Sequence, residues 1–314
     1  MAAYYTFEDL SGSTTPSSSD NPYQGLIEAC QHDHAQIQAR YNTHRTNRNA
    51  QQREKLLAPG FSGVTVDEIL AKLDDPTIEP GFEDWRHCLV FWARPPEKVR
   101  LLIAEIQRRL LQVAPTLWTT PSLNLHMTAL EITHSLTAEE IDALVKIMLP
   151  SLPDVTGYTF GHRARLVKPV VSYDAQALAL SFLPAAGEPG RSANGDTYTY
   201  HHLRRDLHSQ AQATGVTVAS RYVIPSAHLT IARFITKRDF EGLDGGKVDH
   251  AKMEKLVTTI GEVNQWLEAE YWPSADGIRE GGEWIVGEDK GLECRKGALW
   301  YGSGGETVHL GKGF

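Results

Sequence analysis

Two short stretches with one pattern decide the fold of this chain: "NLHMTALEI" at residues 124–132 and "SAHLTIARF" at residues 226–234. Each stretch places a histidine two residues before a threonine within an apolar run. Residues i and i+2 of a β-strand share one face. Each stretch therefore predicts a strand that carries an imidazole and a hydroxyl on one face and apolar side chains, covered by helices, on the other.

The segments around these stretches predict the fold class. In the first half, a buried strand in "RHCLVFWAR" and an amphipathic helix over residues 97–113 precede the first stretch, and a capping box of Thr137 and Glu140 starts a further helix after it. The second half repeats this rhythm with paired strands in "RARLVKPVVSY" and "QALALSFLPA", further helices and short closing strands. We predict an α+β protein with a bilobal, pseudo-duplicated body, in which antiparallel sheets face a central groove and helices lie outside.

The residues before this body predict a different organisation. Residues 1–22 are rich in Ser, Thr, Asp and Pro, which predicts a disordered tail. Residues 23–80 are predicted to form a helical N-terminal extension. Its first helix is expected to run unbroken from Tyr23 to about Leu57, and its second to begin at a capping box of Thr65 and Glu68. The main domain is predicted to span residues 81–314.

Composition limits the partners. The net charge of -8 and the pI of about 5.9 disfavour binding to long duplex nucleic acid, but a small anionic ligand or an RNA end remains compatible. The three cysteines lack metal or redox spacing, and the sequence has neither a signal-peptide pattern nor a run of 18 apolar residues. We therefore expect a cytoplasmic or nuclear protein without a membrane partner.

The paired histidines predict one chemistry in particular. A neutral imidazole can take a proton from a nucleophile while a protonated one gives a proton to a leaving oxygen, with activity centred at about pH 6 to 7. Threonine hydroxyls can hold the anionic oxygens of a phosphate between them, so neither a metal nor another cofactor is expected. A third copy of the pattern, at His44 to Thr46, has no apolar flanks and is given little functional weight.

"LHMTAL" and "AHLTIARF" resemble the paired H-x-[ST]-x motifs of the two-histidine (2H) phosphoesterase superfamily, and "WIVGEDKGLECRKGALWYG" is similar to its closing strands. The resemblance covers residues from about 84 to the C-terminus and is strongest to the RNA ligase/cyclic nucleotide phosphodiesterase-like group. It implies a 2H phosphoesterase-like catalytic domain that opens 2′,3′-cyclic phosphates on RNA ends or small nucleotides without a metal. By motif, the acid/base pair would be His126 and His228, and the phosphate ligands Thr128 and Thr230.

Tyr222 stands six residues before His228, where the RNA-trimming exonucleases of this superfamily carry a substrate-holding tyrosine. The resemblance therefore implies a substrate-binding role for Tyr222, beside the alternative that it packs in the core or at a rim.

Two other functions stay open. The groove could belong to a non-catalytic module that binds a nucleotide or an RNA end, although binding alone needs no matched proton donor and acceptor. The chain could also have the RNA exonuclease or ligase activity of the same superfamily. ATP-dependent joining by this chain alone is disfavoured, because the sequence has no nucleotidyl-transferring lysine motif and no P-loop.

Overall fold

The computed structural model describes residues 8–12, 19–189, 193–242 and 246–314. The predicted tail at residues 1–22 lies largely outside these ranges, because residues 1–7 and 13–18 are not described. Within the described residues the chain is of the α+β class, with two antiparallel sheets of four and five strands packed against helices. The prediction of an α+β protein with antiparallel sheets is confirmed.

The first sheet has the strand order β3–β1–β8–β9, with β1 at His87–Ala93, β3 at Met127–Leu136, β8 at Leu292–Gly297 and β9 at Glu306–Leu310. The continuous apolar run of β1 reflects burial on both faces. Leu89 and Phe91 join the main core, whereas Val90 and Trp92 point the other way into a small separate apolar cluster. Because both faces of this strand are covered, polar and apolar residues do not alternate along it.

The second sheet has the strand order β2–β6–β5–β4–β7, with β2 at Trp118–Thr119, β4 at Arg165–Tyr173, β5 at Ala177–Pro184, β6 at Ala227–Arg233 and β7 at Glu283–Ile285. The predicted pairing of the strands in "RARLVKPVVSY" and "QALALSFLPA" is confirmed as β4 with β5. The closing strands divide between the sheets, because β7 pairs with β4 while β8 pairs with β1. The C-terminal segment thus links the two sheets.

Within the described residues, five α-helices accompany the strands of the main body: α4 at Glu97–Leu111, α5 at Ala138–Met148, α6 at Leu152–Gly157, α7 at Tyr200–Ala213 and α8 at His250–Tyr271. The predicted capping box of α5 is confirmed, since the Thr137 hydroxyl accepts from the Glu140 backbone and the Glu140 carboxylate accepts from the Thr137 backbone. In the part of the chain that the structure describes, none of the helices has both the length and the apolar character needed to cross a bilayer.

The predicted unbroken N-terminal helix is wrong, since the segment forms two helices, α1 at Gln24–Ala29 and α2 at His34–Leu57. Between them, Gln31 and His32 adopt left-handed backbone conformations with φ of 52° and 59°. The Asp33 carboxylate then caps α2 by accepting from the Ala35 backbone N–H. The sequence has no Gly or Pro at this break. The signal that starts the second helix is the aspartate N-cap instead.

The next helix, α3 at Glu68–Asp74, also starts from an aspartate. Its N-cap is Asp67, whose carboxylate accepts from the Leu70 backbone N–H, so the predicted capping box of Thr65 and Glu68 is wrong. Asp67 also accepts from the Tyr301 hydroxyl at 2.7 Å, which ties this helix start to the C-terminal part of the chain.

The N-terminal helices contribute to the main core. Tyr23, Ile27, Ile37 and Tyr41 are fully buried and belong to the same apolar cluster as strands of both sheets. Helix α2 packs on β4 and β5 of the second sheet and on α8. This placement brings the polar side of α2 close to β6, which carries one of the two histidine motifs.

Candidate active site

Strand β6 presents His228 and Thr230 on one face. Ala227, Leu229 and Ile231 are buried, while His228 and Thr230 are partly exposed, as the alternation predicts. The cross-strand partners on β5 are small, with Ser181 opposite His228 and Ala179 opposite Thr230. Small partners leave open space above this part of the sheet, and a ligand can reach both side chains.

Strand β3 presents the other motif at its N-terminal end. Thr128 lies in the strand, whereas His126 stands one residue before it, so the prediction that both residues lie in the strand holds only for Thr128. Trp92 of β1 is the cross-strand partner of Thr128 and stacks on His126. The ring centroids of Trp92 and His126 are 3.9 Å apart with an interplanar angle of 23°. The indole therefore fixes one face of the imidazole.

A single cavity brings the two motifs together. β3 and β6 approach each other closely, and the side chains predicted from the sequence all line this cavity: His126, Thr128, Tyr222, His228 and Thr230. We call it the two-histidine cavity. Its walls also include side chains outside the two motifs: Trp92, Glu131, Arg221, Arg233 and Trp300.

A hydrogen bond to Nδ1 orients each of the two imidazoles. His126 Nδ1 lies 2.8 Å from the Asn124 carbonyl oxygen, and because a carbonyl can only accept, Nδ1–H is the donor. His228 Nδ1 lies 2.9 Å from the Ser226 hydroxyl oxygen. In each ring the anchored nitrogen is Nδ1, which leaves Nε2 to exchange a proton with a ligand.

The protein lowers the pKa of both histidines. Burial lowers the pKa of His126 to about 3, although its bond to the Asn124 carbonyl acts in the opposite direction. Burial likewise lowers the pKa of His228 to about 4, and the positive charges of Arg48 and Arg204 lower it further. Both rings are therefore neutral near pH 7 in the empty site. A bound phosphate would raise both pKa values, since its negative charge favours the imidazolium form.

A β-bulge follows each motif threonine. On β3, Thr128 pairs with Trp92 and Leu130 pairs with Phe91, which makes Ala129 an extra residue. On β6, Thr230 pairs with Ala179 and Ala232 pairs with Leu178, which makes Ile231 an extra residue. An extra residue reverses the alternation of the strand beyond it.

The bulges explain why the sequence analysis missed Glu131 and Arg233. Strict alternation would place both side chains on the buried face, whereas the reversed phase returns them to the two-histidine cavity. Each stands five residues after its motif histidine. In both quoted stretches a charged residue stands at a position that strict alternation assigns to the buried face. This mismatch was the sequence signal that could have revealed Glu131 and Arg233.

Glu131, which is buried, and Arg221, which is partly exposed, form an ion pair that positions the loop of Tyr222. The Arg221 Nη2 to Glu131 Oε2 distance is 2.6 Å, and Arg221 Nε also donates to Glu131 Oε1 at 2.9 Å. The Arg221 guanidinium lies 4.5 Å from the Trp300 ring centre. The next residue, Tyr222, is thereby held with its ring 5.9 Å from that of His228.

Residue types that bind metal ions do not cluster in the part of the chain that the structure describes. Across residues 8–12, 19–189, 193–242 and 246–314, no group of three or more His, Cys, Asp or Glu residues is arranged to hold a metal ion.

Comparisons with known proteins give a distant structural relationship. The sequence matches no protein-family model and no curated protein. In three dimensions, the chain is similar to the crystal structure of TT0787 from Thermus thermophilus, with a TM-score of 0.36 and 13% identity. The matched region covers 71% of this chain and 96% of that chain. The similarity is one of structure alone.

Proposed function

We propose that this chain is a metal-independent phosphodiesterase that opens 2′,3′-cyclic phosphates on RNA ends or small nucleotides. The observation that carries the proposal is the two-histidine cavity, where two imidazoles anchored through Nδ1 each accompany a threonine hydroxyl. A paired proton donor and acceptor around one anion site is what metal-independent cleavage of a phosphodiester by general acid–base catalysis needs.

We also propose that the two halves form the bilobal, pseudo-duplicated body of a 2H phosphoesterase. Each half contributes one H-x-T strand, and each strand has a bulge directly after its threonine. Each bulge returns the residue five positions after the histidine to the same cavity. These shared details support a common design of the halves and the resemblance of the two motifs to that superfamily.

In the proposed reaction, a water molecule attacks phosphorus opposite the ribose oxygen that departs. One neutral histidine takes a proton from the water through Nε2 as the new P–O bond forms. The other histidine, protonated when the anionic substrate is bound, gives its Nε2 proton to the ribose oxygen as the old P–O bond breaks. The product is a ribose hydroxyl beside a phosphate monoester, and the two histidines exchange protonation states.

The remaining polar residues would stabilise the charge on phosphorus. Thr128 and Thr230 can donate their hydroxyl hydrogens to the two non-bridging oxygens. Arg233 adds a positive charge at the same cavity, and its Nη1 is held 3.3 Å from Asp67 Oδ2. Hydrogen-bond donors are thus already in place to stabilise the negative charge that develops in the transition state.

The setting of the site supports the proposed substrate and location. A net charge of -8 favours a small nucleotide or a strand end over a long duplex. Cys30, Cys88 and Cys294 are all free and buried. Free thiols suit the reducing conditions of the cytoplasm or nucleus, which we propose as the location.

The direct test is hydrolysis of 2′,3′-cyclic mononucleotides and of a short RNA ending in a cyclic phosphate, with excess EDTA present. We expect turnover in EDTA, and mass spectrometry should show the addition of one water molecule. A variant that carries both His126→Ala and His228→Ala is the control for contaminating nuclease. Tight ligand binding by the wild type without turnover would contradict the proposal and favour a binding module.

The pKa values of the histidines predict an acidic activity optimum. The free enzyme needs one imidazolium, and both pKa values lie near 3 to 4. Above about pH 5 the active fraction should therefore fall about tenfold per pH unit, because a phosphodiester does not itself titrate there. We expect kcat/KM to be about ten times higher at pH 6 than at pH 7. A maximum between pH 6 and 7, as the sequence alone suggested, would show that the empty site does not hold both rings neutral.

A further inference from the structure

A second cavity adjoins the two-histidine cavity on the side of helix α2. Four residues line both cavities, so the two spaces are adjacent: Tyr222, His228, Thr230 and Arg233. The far wall comes from α2, through Tyr41, His44, Arg45 and Arg48. We call this space the α2 cavity. A ligand whose phosphate lies between the two histidines could extend directly into it.

The α2 cavity is positively charged in an otherwise acidic protein. Three arginines, Arg45, Arg48 and Arg233, line it, and two carboxylates face them, since Asp174 pairs with Arg48 and Asp67, outside the lining, pairs with Arg233. Arg48 Nη2 lies 2.7 Å from Asp174 Oδ2, and the exposed fractions of the two side chains are 27% and 31%. Because this ion pair is open to solvent, the guanidinium can also meet an incoming anion. The charge balance favours an anionic ligand.

His44 adds a buried hydrogen-bond donor without a partner. Its Nδ1 accepts from the Leu10 backbone N–H at 3.0 Å, so the neutral ring carries its hydrogen on Nε2. Nε2 is buried and has no hydrogen-bond partner within the residues that the structure describes. The ring is only 3% exposed and lines the α2 cavity. A buried donor of this kind indicates an acceptor supplied by a ligand.

The remaining walls suit a nucleobase. Tyr222 is the partly exposed aromatic residue of the lining, whereas Tyr41, Tyr173 and Phe182 pack in the main core, and small apolar residues of β5 and β6 complete the wall. Bases bind to exposed aromatic rings by stacking, which tolerates different sequences. A partly exposed tyrosine beside a cationic cluster matches the two parts of a nucleotide.

We propose that the α2 cavity binds the penultimate nucleotide of an RNA 3′ end, whose phosphodiester link to the terminal nucleotide lies at Arg48 and His44 and whose base stacks on Tyr222. This inference rests on the proposed phosphodiesterase function and narrows its substrate class. The substrate is then the 3′ end of an RNA of two or more nucleotides rather than a mononucleotide. Helix α2, which lies outside the resemblance to the 2H superfamily, becomes part of the substrate site.

The kinetic test compares uridine 2′,3′-cyclic phosphate with the dinucleotide UpU that ends in the same cyclic phosphate. We expect wild-type kcat/KM to be at least about tenfold higher for the dinucleotide. Arg48→Gln should reduce the dinucleotide-to-mononucleotide ratio about tenfold, because it removes a charged hydrogen-bond donor from the bound phosphate. His44→Phe keeps a ring but removes the donor and should reduce the ratio in the same direction.

Lys55→Gln is the matched control for these variants. Lys55 is an exposed residue of the same helix and does not line the α2 cavity. Its substitution makes the same change in charge and should leave the ratio at the wild-type value. A ratio that survives Arg48→Gln, or that falls equally with Lys55→Gln, would overturn the inference.

An equilibrium measurement separates this inference from the proposed function. Calorimetric binding of UpU 3′-phosphate and of uridine 3′-phosphate needs no turnover. We expect tighter binding of the dinucleotide to wild type and loss of that difference in Arg48→Gln. If wild type hydrolyses the mononucleotide but shows no dinucleotide preference in either assay, the α2 site is wrong and the phosphodiesterase stands. If neither substrate is hydrolysed, the phosphodiesterase is wrong and the binding difference alone decides the α2 site.

Discussion

Replacing either His126 or His228 with alanine is expected to lower kcat/KM for a 2′,3′-cyclic phosphate by about 100-fold to 10,000-fold. Each imidazole is anchored through Nδ1 and leaves Nε2 at the shared cavity. General acid or base catalysis by one positioned group contributes a factor of this size. Because the two histidines act in one proton-transfer sequence, the double variant should lose much less than the product of the two single losses.

The same variants can identify which histidine is the acid. A nucleoside p-nitrophenyl phosphate has a leaving group that departs without protonation. With this substrate, the variant lacking the general acid should recover most of its activity relative to wild type, whereas the variant lacking the base should not. Steady-state release of nitrophenolate measures both. Equal losses on activated and unactivated substrates in both variants would contradict an acid/base pair.

His162→Ala provides the control for a generic effect of removing an imidazole. His162 is exposed, stacks on Tyr158 and lines neither cavity. Its variant should keep wild-type activity. Circular dichroism and thermal unfolding of all three variants should show intact folds, so that a loss of activity at His126 or His228 reports chemistry and not misfolding.

Acidification is expected to unfold this protein well before its carboxylates are all protonated. Four histidines have strongly lowered pKa values, with burial as the main cause: His126 and His201 at about 3, and His202 and His228 at about 4. His201 shows why the neutral form is required. Its Nε2–H donates to the Tyr23 carbonyl, and its Nδ1 accepts from the Tyr41 hydroxyl.

The sign of the effect follows from proton linkage. In the unfolded chain these histidines titrate near pH 6.5, so between about pH 6.5 and pH 4 the unfolded state binds more protons than the folded state. Stability is therefore full above about pH 7 and falls as the pH decreases. Each histidine contributes up to about 1.4 kcal/mol per pH unit. Four of them can remove a typical stability of about 5–15 kcal/mol by about pH 4.5.

Urea unfolding followed by circular dichroism at pH 7.5, 6.5, 5.5 and 4.5 measures this slope. His201→Gln should lower the free energy of unfolding at pH 7.5. It should also reduce the slope of that free energy against pH by the equivalent of about one bound proton. Leu207→Ala, at a fully buried position of the same helix, should lower stability by about 2–5 kcal/mol and leave the slope unchanged. A wild-type free energy of unfolding that stays constant from pH 7.5 to 5 would contradict the neutral state of the buried histidines.

The two pH effects oppose each other, which gives a joint expectation. Activity per folded molecule should rise as the pH falls, while the folded fraction decreases. The observed optimum should therefore lie where unfolding begins, and stabilising the protein without touching the cavity should move that optimum to lower pH.

The sequence alone determined the class of elements and the identity of the two motifs. Period-2 alternation in the strands and helical spacing in α4 and α8 are local properties, so they can be read without knowing what packs against them. The H-x-T spacing likewise placed His228 and Thr230 on one face of β6 before any partner strand was known. The start of α5 was predictable because a capping box involves only four consecutive residues.

Only the tertiary structure decided which other side chains join the site. The bulges at Ala129 and Ile231 are defined by partner strands, and they alone turn Glu131 and Arg233 into the two-histidine cavity. The break between α1 and α2 likewise fits the docking of both helices on the main core. That docking brings His44 beside the motif of His228, although the two residues lie far apart in the chain. Such pairings depend on long-range contacts, and no local pattern in the sequence encodes them.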